Sequence, residues 1–189
     1  IVGLQHGDEG KGCISDYLLQ KKTWYEGFFD DFKKNREYDC VIKFNGGPNA
    51  GHTIYKDSKK FKLHHLTAGV VNNITVIIAP TCLIDLDKLA TEINEVEKLL
   101  DEPIKHLIKI SSTCHTITSE SIDYDKANNK VGSTCCGIGP TFSKKCLRTN
   151  QRICDVVEGS YVYGCEIIDF NKFMMEDNKF NRVLFEGSQ

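Results

Sequence analysis

Two short glycine-rich stretches hold the residue types best suited to chemistry. In the first, Gly7-Asp8-Glu9-Gly10-Lys11-Gly12, glycines at 7, 10 and 12 follow a strand-like Ile1-Val2-Gly3-Leu4 and open a helix. Such a turn lets the backbone approach an anion, while the helix N-terminus offers free amides and Lys11 adds a point charge. It is neither a Walker loop nor GxGxxG, since Gln5 stands at the Walker first-glycine position and Gly12 at its Ser/Thr position. A glycine-rich structural turn would explain the spacing alone. Asp8 and Glu9, however, are electrostatically awkward in an anion loop unless they meet a metal or an acid/base task. A Mg²⁺ bridging Asp8 and phosphate oxygens resolves that conflict.

The second stretch is Asn45-Gly46-Gly47-Pro48-Asn49-Ala50-Gly51-His52-Thr53. Here Asn49 can hydrogen-bond a purine or phosphate, Gly51 can present its carbonyl to a metal, and His52 can donate a proton near neutral pH. A lone loop histidine is commonly just solvated, and His64, His65, His106 and His115 receive no role.

The elements that must position these loops read as α/β. Cys13 to Gln20 is predicted as a helix with Ile14, Tyr17 and Leu18 on one face, and Cys40 to Phe44 as the next strand. Phe61 to His65, Val76 to Ala79, Leu107 to Ile110 and Arg182 to Gly187 follow as further strands. Asp85 is the expected cap of a helix reaching about Leu100, with Leu86, Leu89, Ala90, Ile93, Val96, Leu99 and Leu100 aligned. The charged, aromatic segment Lys21 to Tyr38 reads as a surface excursion, and Asn128 to Thr149 as a long functional loop. The expected fold is one α/β domain over 1–189: a mainly parallel central sheet, surrounding helices, and ligands at the strands' C-terminal ends.

Bulk properties narrow the partners. A net charge of -2 argues against a nucleic-acid surface, so phosphate must be held by local geometry, which favours a small nucleotide. No apolar run reaches the length of a membrane span, and Ile1 opens a strand-like stretch rather than a signal peptide. Nine cysteines without CxxC spacing read as reduced thiols of a cytoplasmic protein rather than a zinc site or disulfide framework.

Four motifs together resemble the adenylosuccinate synthetase family. Gly3 to Gly12 is similar to its opening signature, with His6 where tryptophan is usual, and Gly46 to Thr53 to its second. Gly132-Ser133-Thr134, Gly137-Ile138-Gly139-Pro140 and Lys145 to Arg148 resemble the third, and Phe185-Glu186-Gly187-Ser188-Gln189 the fourth. The resemblance implies a P-loop-like nucleotide-binding architecture and the GTP-dependent ligation of L-aspartate to IMP through a 6-phosphoryl-IMP intermediate, with Mg²⁺ as cofactor. Carried over residue by residue, Asp8 would be the base at purine N1 and His52 the acid. Gly7, Asp8, Glu9, Gly10, Lys11, Gly12, Cys13, Gly51, His52 and Thr53 would line GTP, with Asp8 and Gly51 on the metal. IMP would meet Asp8, Glu9, Gly10, Lys11, Asn49, Ala50, Gly51, His52, Thr134 and Gln189, and Arg148 would reach the neighbouring site of a homodimer.

Departures accompany the resemblance. Cys135 and Cys136 stand where the family carries glycine or a basic residue and then a basic one. The Lys21 to Tyr38 segment is longer than in many members, and Glu158 to Phe180 much shorter than the family's helical region. The family's guanine-recognition segment and aspartate-binding arginine loop follow its fourth motif, so the 189 residues are expected to be a truncated, N-terminal portion, inactive alone. Two other readings remain: a sister enzyme that aminates a 2-aminopurine nucleotide, against which Asp8 argues because such proteins tend to carry serine there, and a non-catalytic nucleotide-binding remnant.

Overall fold

The computed structural model describes residues 1, 10–20, 38–128, 132–176 and 180–188. Its helices are α1 (Lys11–Leu19), α2 (Ala68–Val71), α3 (Leu86–Leu100), α4 (Ser119–Ala127), α5 (Ile138–Cys146), α6 (Ile153–Val156) and α7 (Phe170–Met175). Its strands are β1 (Cys40–Lys43), β2 (His52–Lys56), β3 (Lys59–Leu63), β4 (Thr75–Ile78), β5 (Leu83–Ile84), β6 (Ile108–Ser111), β7 (His115–Thr116), β8 (Tyr161–Val162), β9 (Cys165–Ile168) and β10 (Val183–Glu186).

Six strands form one sheet in the order β10-β1-β4-β6-β9-β8, with every pairing parallel except the β8–β9 hairpin. All four residues of β1 are buried, as expected for a central parallel strand covered on both faces. Alternation sorts the side chains. Val41, Val76, Ile78, Ile108 and Ile110 join the larger core with Leu89, Ile93 and Val96 of α3. Cys40, Ile42 and Ile77 point the other way, toward Ile168 and Phe173. The mainly parallel α/β sheet read from the sequence is therefore present.

The α3 reading holds in detail, since the Asp85 carboxylate accepts from the Lys88 amide at 3.1 Å. Three local expectations change. Ile14 and Tyr17 of α1 are 47% and 62% exposed, and the buried face is instead Lys11, Gly12, Ser15, Asp16 and Leu19. That face is chosen by close approach and polar ties: Asp16 accepts from Asn72 Nδ2 at 2.8 Å. Secondly, 128–149 contains helix α5 rather than being loop throughout. Gly139 and Pro140 hide it from propensity, yet they fall in its first turn, where a missing proline N–H costs no helical bond. Lastly, β2 and β3 form an unforeseen hairpin whose turn residues Asp57 and Ser58 both have positive φ, 49° and 62°. The predicted surface excursion 21–38 lies outside the described residues except for Tyr38.

Candidate functional site

Lys43 ends β1 and Glu186 ends β10, and the two are register partners at the C-terminal edge of the sheet. Where strands stop there, loops take over, and described residues of the four sequence motifs meet at this edge. From the first motif, α1 begins at Lys11 after Gly10, whose φ of 69° suits glycine. A Cβ on Gly12 would fall 2.7 Å from the His52 Cβ, so only glycine lets α1 lie this close to β2. The second motif is laced to the fourth: Ser188 donates from its amide to Asn45 Oδ1 at 2.8 Å and from its hydroxyl to the Asn45 carbonyl at 2.7 Å. The third motif meets the second where a Cβ on Gly47 would lie 2.6 Å from Ile138 Cδ1. Asp125 of α4 holds that third loop, accepting from the Ser133 hydroxyl and the Gly137 amide, each at 2.9 Å.

The decisive contact joins motifs two and four. His52 Nδ1 lies 2.7 Å from Glu186 Oε1, and the two side chains are 13% and 2% exposed. Around it, buried polar atoms lack partners among the described residues: Asn49 Oδ1, His52 Nε2 and Glu186 Oε2, with Ser15 Oγ on α1. Buried polar atoms are normally hydrogen-bonded, so open ones on segments that meet at the strands' C-terminal ends make this edge the candidate place for a polar ligand.

A second buried network backs this one. Glu92 of α3 accepts from the backbone amides of His64 at 2.7 Å, His65 at 2.9 Å and Leu66 at 3.1 Å. His65 Nε2 accepts from the Asp85 amide at 3.1 Å, which leaves Nδ1–H facing Glu92 at 3.4 Å, longer than a good hydrogen bond. Burial holds the His65 imidazole below its ordinary value, against the pull of Glu92. Burial also pushes Glu92 upward, but its donors at His65 and His64 more than offset this and leave it below the usual carboxylate range. Lys43 lies in the fields of both carboxylates, and its Nζ donates to the His64 carbonyl. Burial lowers its ammonium, while Cys82, Glu92 and Glu186 work to raise it.

Of the sequence-predicted residues, the structure brings Gly10, Lys11, Gly12, Asn49, Ala50, Gly51 and His52 to this edge. Cys13 and Thr53 are exposed on α1 and β2. Thr134 is exposed in the third loop, and Arg148 is exposed in the left-handed turn after α5, at φ 60°. Asp8, Gly7, Glu9 and Gln189 lie outside the described residues. Gly51, exposed immediately ahead of His52, has a carbonyl oxygen of the kind a hard cation takes, and the other expected ligand, Asp8, lies outside the described residues. At Cys136, Lys88 Nζ donates to Sγ at 3.5 Å, so a cation reaches this loop from α3. Lys144 is engaged elsewhere, with Glu120 at 2.9 Å.

With this geometry in view, the sequence model of the adenylosuccinate synthetase family matches residues 1–189 throughout. The chain belongs to the adenylosuccinate synthetase family. Among relatives, the adenylosuccinate synthetase of Thermoplasma acidophilum is 37% identical over 162 residues, covering 82% of this chain and 33% of that protein. That of Prochlorococcus marinus is 36% identical over 165 residues, covering 83% and 34%. The chain thus spans about a third of the length of the curated relatives it matches. Fully ligated adenylosuccinate synthetase from Plasmodium falciparum superposes with a TM-score of 0.72 at 28% identity, over 97% of this chain and 49% of that one. Succinoaminodeoxyadenylate synthetase of cyanophage S-2L, solved with dGMP and dATP, shares the fold at 19% identity and TM-score 0.70, over 97% and 48%.

Sequence reasoning left Glu186, Lys43, Asn45 and Ser188 of this family member without roles. The available signal was charge at the end of apolar runs, Val41-Ile42-Lys43 and Val183-Leu184-Phe185-Glu186. A charged residue closing a buried parallel strand sits where ligands bind.

Proposed function

We propose that this chain forms the phosphate- and IMP-binding part of an enzyme that joins L-aspartate to IMP at the expense of GTP, giving adenylosuccinate, GDP and phosphate. The observation that carries this reading is the buried Nε2 of His52, without a partner among the described residues, on a ring anchored by Glu186 beside the start of α1. The 6-oxygen of hypoxanthine is a poor leaving group, and phosphorylating it solves that problem. Asp8 takes the proton from purine N1 and so makes the 6-oxygen nucleophilic. His52 Nε2 hydrogen-bonds the transferring phosphoryl group and acts as acid, and the aspartate amine then displaces phosphate from 6-phosphoryl-IMP. Lys11 and the amides of Gly12 and Cys13 orient phosphate, while Asn49, Thr134 and Gln189 hold IMP. Asp8 and the Gly51 carbonyl would hold Mg²⁺, whose charge would then offset that of the phosphates. Arg148, exposed beyond α5, reaches the IMP phosphate of a neighbouring subunit in a cytoplasmic homodimer.

The test uses the product of the whole reading frame with IMP, GTP and aspartate, following adenylosuccinate by absorbance. Asp8→Ala and His52→Ala are each expected to lower turnover at least about 10²-fold with little change in IMP affinity. Near-normal turnover in either variant would overturn its role, and amination of dGMP in place of IMP would overturn the substrate.

A further inference from the structure

We infer that Glu186 is a positioning residue that fixes which nitrogen of His52 carries its proton and which faces the substrate. This rests on the role given to His52 above. The ring is held from two sides: Glu186 Oε1 is 2.7 Å from Nδ1, and Gly12 packs against the Cβ end so closely that no side chain fits between. An ionised carboxylate only accepts hydrogen bonds, so the nitrogen facing it carries the hydrogen in the neutral ring and in the protonated ring alike. Nδ1 is therefore committed to Glu186, and Nε2, which is buried and without a partner among the described residues, is the nitrogen left to face substrate. A neutral imidazole left to itself can place its hydrogen on either nitrogen. Glu186 excludes the neutral form with hydrogen on Nε2, so Nε2 has a hydrogen to donate only in the ring protonated at both nitrogens, which is the acid form.

Glu186 is suited to this task by its own surroundings. It closes β10, is 1% exposed, and stands in register with Lys43. The Lys43 ammonium is occupied with the His64 carbonyl, so it supplies charge nearby without displacing His52 from Oε1. Meanwhile Glu186 Oε2 has no partner among the described residues. A carboxylate serving only to tie β10 to β2 would be expected to have both oxygens satisfied, as those of Glu92 are.

The experiment reads the tautomer directly. Two-bond ¹⁵N–¹H correlation spectra of histidine-labelled protein distinguish Nδ1–H from Nε2–H rings, and a His52→Asn sample identifies the signal among the six histidines. Native His52 is expected with hydrogen on Nδ1, whether or not Nε2 is also protonated, and a ring with hydrogen on Nε2 alone would overturn the inference without any further variant. Glu186→Gln keeps the size of the side chain, but its amide can offer either an oxygen or an N–H to the ring. It is expected to give mixed tautomers and about a tenfold to hundredfold fall in kcat, with KM for IMP and GTP within about threefold. A pure Nδ1–H ring with kcat within about threefold of native would show that Glu186 is only structural. The spectra need no turnover. A pinned Nδ1–H ring in a protein that makes no adenylosuccinate would therefore overturn the proposed reaction and leave this inference standing.

Discussion

Two buried carboxylates flank Lys43, and they are finished differently. Glu92 is saturated: three consecutive backbone amides point into it from the segment between β3 and α2, and His65 closes the group. Glu186 binds one histidine nitrogen, and its second oxygen has no partner among the described residues. A saturated carboxylate fixes backbone. One left half-open, beside a histidine nitrogen that also lacks a partner among the described residues, suits the ligand-binding role proposed above, because burial without partners is otherwise costly. The contrast separates scaffold from site without reference to motif names.

The sharpest way to break the comparison is to delete the saturated group. Glu92→Ala would strand three amides and weaken the charge balance around Lys43. A loss of about 3–5 kcal/mol is expected for breaking such a buried charged group, measured by urea unfolding. Loss of less than about 1 kcal/mol would mean that water replaces the carboxylate easily. At the other carboxylate's partner, His52→Ala should act mainly on rate, with the fall of about 10²-fold stated above and a stability loss smaller than that of Glu92→Ala. A large stability loss there would erase the distinction.

Acid sharpens the same contrast. His65 and Glu92 both have folded-state values below their ordinary 6.5 and 4.5, so the unfolded chain binds protons more readily than the folded one. The stability they contribute is complete above 6.5 and is lost as pH falls through that value and then through 4.5 toward the folded-state values. Urea midpoints should decline over this range, and His65→Gln should flatten the upper part of the decline. An unaltered slope in that variant would remove His65 from the account.

The smallest effect is expected at the rim of the site. Cys136→Arg should tighten IMP binding by no more than about tenfold, because the loop is partly exposed and screened. Lys88 already brings a cation to Cys136, at 3.5 Å. Titration showing unchanged affinity would identify Lys88 as sufficient.

Much of this molecule was legible in residue order. The α3 pattern with its Asp85 cap, the apolar strands and the four motifs depend on local periodicity and turn chemistry, and these survive folding unchanged. Helix α5 was not legible, because its glycine and proline lower propensity everywhere except in the first turn, where they happen to lie. Nor was the buried side of α1, where apolar spacing pointed to Ile14 and Tyr17. Packing against His52 and Asn72 selected Gly12 and Asp16 instead.

Sequence by itself determined the family, the parallel sheet and the identity of His52 as a candidate acid. Tertiary structure decided what His52 meets. Its partner lies 134 positions away, at the end of a strand that reaches it through the β10–β1 pairing. No local pattern encodes that distance. Which nitrogen meets Glu186, and which has no partner among the described residues, depends on a parallel register and on one glycine contact, both of which exist only once the sheet has formed.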